Sequence, residues 1–256
     1  MTERLDRRGF GLRLTAGLAS LLLSGCGDEV SDRPWVRQLL SKAEDLNYWL
    51  QRKVLPHVAL AREYDEADVS PQFRANGSTD PEDEDYRRLA ANGFADWRLE
   101  VGGLVERPQR FSLADLRTLP SRTQITRHDC VEGWSCIGKW TGTPLAALLQ
   151  RVGVRPEARF VMFHCADTME DSVDRYYESI GLGDAFHPQT ILAYDMNGAP
   201  LSVAHGAPLR VRVERQLGYK MAKYVMAIEL VESFSHIGRG HGGFWEDRGY
   251  EWYAGI

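Results

Sequence analysis

The sequence predicts a mixed α+β domain, a mixed sheet system of many short strands and few helices, preceded by a helical arm. Two positive observations and one negative one lead there. Short β-prone runs recur from Trp97 onward, at Thr123–Thr126, Arg159–Cys165, Tyr176–Ile180, Ile191–Tyr194 and Tyr224–Val231. In a further stretch Leu209, Val211 and Val213 alternate with Arg210, Arg212 and Glu214; runs of this length and alternation read as strands. The helical signals among them are brief. No G-x-G-x-x-G follows a strand, which argues against a dinucleotide-binding βαβ series.

The chain has 256 residues, 43% hydrophobic and 26% charged, enough for a sizeable core. Net charge is −5, with no basic block beyond the extreme N-terminus, which argues against nucleic acid as a partner. Four cysteines (Cys26, Cys130, Cys136, Cys165) form no C-x-x-C pair, so a zinc ribbon or a thioredoxin-type motif is not expected.

Residues 1–26 read as an address rather than as fold. Arg7-Arg8 and Gly9-Phe10 precede an apolar stretch from Leu12 to Leu23, too short for a membrane span but suited to a signal peptide. The paired arginines resemble a twin-arginine export signal, and Leu23-Ser24-Gly25-Cys26 resembles a lipoprotein box with Cys26 as the lipidated residue. The bland alternative is an ordinary secretory signal. Cleavage before Cys26 removes four Arg and two acids and moves the net charge from −5 to −7. The expected location is periplasmic or otherwise extracytoplasmic. Twin-arginine export carries folded proteins, often with a cofactor already inserted, so the signal itself points to a cofactor.

Residues 27–70 read as the arm. Asp32-Arg33-Pro34 opens a helix, and Trp35, Leu39, Leu40, Ala43, Leu46 and Leu50 recur at helical spacing until Pro56. The main domain is expected over 71–256. Ser70–Tyr86, with two Pro and many acids, reads as loop, and its acids Glu82–Asp85 as a solvated face. Gly102-Gly103 marks a turn or bulge. Ser112-Leu113-Ala114-Asp115 reads as a capped short helix. Pro144–Arg151 is a helix stopped by Gly153. Asn197-Gly198 is the strongest hairpin dipeptide in the chain.

Two stretches carry chemistry. The first is Arg127–Trp140, RHDCVEGWSCIGKW. It places Cys130 just past a strand end in a Gly-containing loop, where a thiolate serves as soft ligand or nucleophile. Taken alone, a small buried hydrophobe is the commoner role for a single Cys. The second is His205-Gly206-Ala207-Pro208-Leu209-Arg210, followed by Gly218-Tyr219-Lys220 and Lys223. Glycines permit close backbone approach, and Arg offers a planar fork for phosphate. The alternative is that Arg210 points outward from a solvated strand and the lysines are surface charges.

HDCVEGWS, then HGAPLR, then GYKxxK, in this order and with a strand-end Cys about 75 residues before the HGxP stretch, resemble the molybdopterin oxidoreductase family that contains sulfite oxidase and a periplasmic protein-methionine-sulfoxide reductase. The resemblance spans roughly Phe73 to Ser233. It implies a sulfite-oxidase-type molybdopterin-binding domain carrying molybdenum-molybdopterin in its mononucleotide-free form. It implies Cys130 as the metal ligand. His205, Arg210 and Lys223, with Lys220 a weaker candidate, would hold the pterin and its phosphate. Arg74 and Asn76 would reach it from an N-terminal loop, and His128 lies close enough in sequence to Cys130 to contact it.

Sulfite oxidases carry an Arg shortly after the Cys; here Val131-Glu132-Gly133-Trp134-Ser135 follows. An acid there would repel sulfite, and the sequence is more similar to the sulfoxide-reductase branch, in which Glu132 could donate a proton as oxygen leaves as water. The resemblance implies two-electron oxygen-atom transfer on a small sulfoxide-type substrate, with electrons from a membrane haem protein or another electron-transfer partner. The alternatives are a dehydrogenase of sulfite or another small anion, and a cofactor-free lipoprotein binding module. Asp167 matches a loop near the substrate funnel, or is a plain turn residue. Cys136 and Cys165 are either a disulfide or two core residues. The aromatic tail, Gly242–Ile256, is expected to cover the core or close the site.

Overall fold

The computed structural model describes residues 59–169, 172 and 174–256, with isolated positions between 33 and 50. The signal, the lipobox and most of the arm lie outside the described residues. The chain divides into two compact units, Met1–Pro56 and His57–Ile256. In the first, the described positions Trp35, Val36, Lys42, Leu46, Trp49 and Leu50 are helical, the conformation their spacing predicts.

The second unit contains two sheets. One has the order β2-β1-β10-β5-β6, built from β1 (Leu99–Gly103), β2 (Gln109–Phe111), β5 (Phe160–Thr168), β6 (Arg175–Gly181) and β10 (Val225–Val231). β1 and β10 run parallel and the other neighbours antiparallel. The other has the order β3-β4-β7-β8, with β9 also on β7. It comprises β3 (Arg122–Asp129), β4 (Ser135–Pro144), β7 (Ile191–Met196), β8 (Ala199–Pro200) and β9 (Arg210–Arg212), all antiparallel. The mixed-sheet α+β architecture expected from the sequence is the one observed.

Local chemistry accounts for several boundaries. Asn197 and Gly198 both have positive φ, 51° and 82°, the requirement of a two-residue hairpin between β7 and β8. Ser112 and Asp115 form a reciprocal capping box on α2 (Leu113–Thr118). On α3 (Leu145–Val152), Leu145, Leu148, Leu149 and Val152 form the buried stripe, and Gly153 ends the helix at φ 72°. These four join Leu99, Val101, Val161, Phe163, Ile228 and Val211 in the largest apolar cluster, each fully buried aliphatic contributing about 1.5–3 kcal/mol. A Cβ on Gly142 would stand 2.2 Å from Leu192 O, so the bend where β4 changes register against β7 admits no side chain.

The structure differs from the sequence reading in two places and decides two alternatives that it left open. Ser70–Tyr86 is not loop throughout: Asp83 caps α1 (Glu84–Ala91), accepting from Tyr86 N at 2.8 Å. The acids Glu82–Asp85 face solvent as expected, and they also begin a helix, where the dipole favours them. Residues 59–70, read as part of the arm, lie against β3, β4 and the turn before β7. Tyr64 N donates to Ile125 O, Ser70 N to Ile137 O, and Ala61 brackets the Gln189 amide. Arg210 is not on a solvated face, since all of β9 is buried. Cys136 and Cys165 are free, on β4 and β5 of different sheets. A short α4 (Leu182–Ala185) completes the helices among the described residues.

Candidate active site

β3 ends at Asp129 and the chain turns sharply. Cys130 N donates to Trp134 O at 2.9 Å, Gly133 N returns to Cys130 O at 3.0 Å, and Gly133 takes φ 84°, which glycine adopts freely. Ser135 Oγ ties back to Asp129 Oδ1 at 2.5 Å. This rigid turn buries Cys130 on the wall of a cavity with about 660 Å³ of empty space, its opening included. Burial pushes the thiol pKa up, while a hydrogen bond from the Glu132 backbone pulls the other way. A metal at Sγ would supply the positive charge that keeps a thiolate there.

The other walls come from distant parts of the chain. Asn76, Gly77 and Ser78 form one loop, Asp167 and Met169 leave the end of β5, and Tyr176 stands on β6. Gly218, Tyr219, Met221 and Lys223 follow β9, and Trp245 and Tyr250 belong to the C-terminal tail. A wider outer bowl, lined by Arg74, Asp80 and Glu82, shares Gly77, Ser78, Glu132, Met169 and Trp245 with the inner cavity. The tail does both things expected of it: Phe244 is in the core, and Trp245 and Tyr250 wall the site.

Asn76, Cys130, Glu132 and Lys223, all expected at the site, line the inner cavity, and Arg74 the outer bowl. Glu132 accepts from Trp134 Nε1 at 2.9 Å and pairs with Arg74 at 3.5 Å, while Arg74 lies over the Trp134 ring. Lys223 Nζ donates to the carbonyls of Ser78 and Ala204. Burial and nearby Arg210 push its pKa down to about 7, and Asp167 opposes them. Burial pushes Asp167 up to about 7, with Lys223 opposing.

The remaining expected residues stand off the cavity wall. Arg210 sits beside Lys223, packed across Gly206. Burial, then the charge of Arg212, draw its pKa down to about 9, so it stays cationic at neutral pH. His205 spends both ring nitrogens, accepting from Ser202 Oγ at 2.8 Å and donating to Phe73 O at 3.1 Å, and its carbonyl accepts from Arg210 Nη1 at 3.1 Å. His128 accepts from Arg212 at Nδ1, 3.0 Å away, which leaves the proton on Nε2. That nitrogen faces Gly218, where a Cβ would lie 2.4 Å from it. Lys220 is fully buried between Glu178 and Glu246, so its ammonium is spent inside the protein rather than offered to a ligand. Sequence reasoning missed Met169, Tyr176, Tyr219 and Met221. Tyr219 lies inside the GYK motif, but its neighbour drew attention by its charge.

Some polar atoms at or beside the cavity are left over. Asn76 Oδ1, Asp167 Oδ1, His128 Nε2 and Arg210 Nε and Nη2 are buried without a partner, as are Trp97 Nε1, Thr126 Oγ1, Trp140 Nε1, Gln216 Oε1 and Glu246 Oε2 elsewhere. Native interiors rarely leave such atoms unpaired unless a ligand completes them. Among the described residues no three or more His, Cys, Asp or Glu converge as a set of metal ligands. A metal held through Cys130 would therefore bring ligands of its own, and a dithiolene pterin does so. A buried guanidinium and ammonium with no paired acid fit its phosphate. The residues present fit a molybdopterin.

Residues 88–236 match the family described as oxidoreductase molybdopterin binding domain, and the chain belongs to it: this is a molybdopterin-dependent oxidoreductase of the sulfite oxidase type. Among its relatives is a protein of Azospira oryzae provisionally named protein-methionine-sulfoxide reductase subunit YedZ1. It is 38% identical over 97% of this chain and 87% of that protein. The protein-methionine-sulfoxide reductase catalytic subunit MsrP of Ralstonia nicotianae is 32% identical over 84% of this chain and 67% of its own. The sulfane dehydrogenase SoxCD of Paracoccus pantotrophus is 26% identical, with a TM-score of 0.49 over 54% of this chain and 39% of that one.

Proposed function

We propose that this chain is an exported reductase of sulfoxides that uses molybdenum-molybdopterin in its mononucleotide-free form. The observation that carries the reading is the cavity itself: a buried Cys130 thiol among apolar and aromatic walls, with acids rather than free cations beside it. Lys223 is the one Lys or Arg among the described residues of the inner wall, and its Nζ is bound to two carbonyls. Glu132 and Asp167 share that wall. With Lys223 given to the cofactor phosphate, an anion such as sulfite would meet two carboxyl groups and no further cation on that wall, whereas a neutral sulfoxide meets no repulsion. Similarity to proteins named methionine-sulfoxide reductases points the same way. The cofactor-free binding module has no support beside the family membership.

In this reading Cys130 Sγ is the protein ligand to molybdenum, and Asn76, Arg210 and Lys223 hold the pterin and its phosphate. When bound, the cofactor would supply two-electron oxygen-atom transfer. Reduction of a sulfoxide to a thioether and water consumes two electrons and two protons. Glu132, which lines both the bowl and the inner cavity, is placed to bring protons from solvent. Asp167, its pKa raised to about 7, holds a proton for part of the time at neutral pH. The twin arginines Arg7-Arg8 and the box ending in Cys26 support folded export and a lipid anchor outside the cytoplasm. The relative from Ralstonia is named a catalytic subunit, which supports a separate electron donor, read here as a membrane haem protein.

The test combines elemental analysis, pterin fluorescence and turnover with a reduced viologen dye, on wild type and Cys130→Ser. The expected outcome is about one molybdenum per chain, in keeping with a single thiolate ligand. Methionine sulfoxide should be reduced, and both metal and turnover lost in the variant. Oxidation of sulfite with no reduction of sulfoxides would overturn the assignment.

A further inference from the structure

The last residues of the chain lie beyond the segment matched to the family, residues 88–236, yet they build one wall of the cavity. Trp245 and Tyr250 line the inner cavity, and Trp245 also lines the outer bowl. Their rings stack, with centroids 5.2 Å apart and planes at 26°, and Tyr219 meets Tyr250 edge-on at 5.3 Å. The tail is pinned on both sides of this pair. Before it, Phe244 is fully buried and its N–H donates to Tyr177 O at 2.9 Å. Between the two rings, Glu246 is buried against Lys220. After them, Tyr219 Oη donates to Glu251 O at 2.7 Å and Trp252 Nε1 to Ser179 Oγ at 2.9 Å.

A fixed aromatic pair on the wall of the cavity that holds the thiol can select by shape and polarity. The carbons bound to a sulfoxide sulfur carry partial positive charge, and ring faces carry partial negative charge. We propose that Trp245 and Tyr250 form the specificity wall, seating the alkyl or aryl substituent of a neutral sulfoxide. The inference deepens the reading of this cavity as a sulfoxide site and rests on it.

Sulfones share the substituents and overall shape of sulfoxides and serve as probes that do not turn over. Methyl phenyl sulfone and dimethyl sulfone are titrated calorimetrically into the holoenzyme, beside kinetics on the two matching sulfoxides. Trp245→Ala should raise Kd and KM for the phenyl compounds about tenfold, the scale of one lost aromatic contact. kcat should fall much less, because a contact made equally in ground and transition states acts on KM. The dimethyl compounds should lose less, and Trp245→Phe should recover most of the affinity. Molybdenum per chain reports whether a variant is folded and loaded, and Tyr250→Ala serves if Trp245→Ala is not. Changes under about twofold for both compound sizes in the loaded variants would sink the wall. If the wild type reduces no sulfoxide, the functional reading fails, and the sulfone titration still decides the wall. Binding that the variants lose keeps it, and no binding overturns it.

Discussion

Arg210 and Arg212 stand two residues apart on β9, both fully excluded from solvent, and the protein treats them differently. Arg212 spends its guanidinium on its surroundings: Nε and Nη2 reach both oxygens of Glu214 at 2.9 and 2.6 Å, and Nη1 reaches His128. Gln124 completes Glu214 at 2.9 Å. Arg210 spends one N–H on His205 O and leaves Nε and Nη2 unpartnered. The lysines repeat the contrast. Lys220 Nζ is clasped by two buried carboxyl groups, although Glu246 keeps one oxygen unpartnered, whereas Lys223 Nζ bonds two carbonyls. A buried cation bonded to buried acids holds the scaffold together. One that is left over is binding capacity kept for a ligand.

The largest effect that would test this contrast is on the scaffold side. Lys220→Met strands Glu178 and Glu246 in the interior, and burial already pushes Glu178 well above the usual carboxylate range. Denaturant unfolding should show a loss of about 3–5 kcal/mol, as for other buried pairs with one partner removed. Replacing all three, Lys220→Met with Glu178→Gln and Glu246→Gln, should recover most of that loss, since no unpaired charge remains.

On the ligand side the signs reverse. Arg210→Met removes a buried cation with no acid beside it, so the cofactor-free protein should be at least as stable as wild type. Molybdenum and pterin retained through purification should fall severalfold, because a charge-assisted contact to phosphate is worth about 1.5–3 kcal/mol. A variant that loses stability and keeps its cofactor would place Arg210 with the scaffold and erase the distinction.

How much of this was legible in the sequence follows the range of the interactions. The hairpin at Asn197-Gly198, the box at Ser112 and Asp115, and the strand-end position of Cys130 depend on neighbours a few residues apart, and local pattern sufficed. α1 was missed because composition marked its acids only as solvated, which they are, and passed over Asp83 as the cap that makes them a helix start. The division of the lysines was not readable. Lys220 and Lys223 sit in one short motif, and the partners that separate them, Glu178 and Glu246, lie 42 and 26 residues away. Arg212 ends β9 and Glu214 lies two residues on, in the turn that follows, so that pair was within reach of an alternation argument. What misled there was the assumption that charged alternation faces water.

The last effect is a pH dependence, read at two groups on the ligand side. Asp167 rises from an ordinary 3.8 to about 7 in the fold, so the folded protein binds its proton more tightly than the unfolded chain does. Its contribution to stability is fully present below pH 4 and is lost as pH climbs to about 7. Lys223 falls from 10.5 to about 7, so its contribution is present above 10.5 and lost as pH falls toward 7. Together they give the cofactor-free protein a minimum of stability near neutrality, where the contribution of each group is lost and each is about half charged. Asp167→Asn should flatten the acid side of that minimum and Lys223→Met the alkaline side, measured by thermal unfolding across pH 5–9. Cofactor bound at these groups should shallow the minimum in wild type as well, because its polar edge and phosphate would pair with charges the empty fold leaves alone. A minimum of equal depth in loaded and cofactor-free protein would mean that the leftover charges are not what the ligand completes.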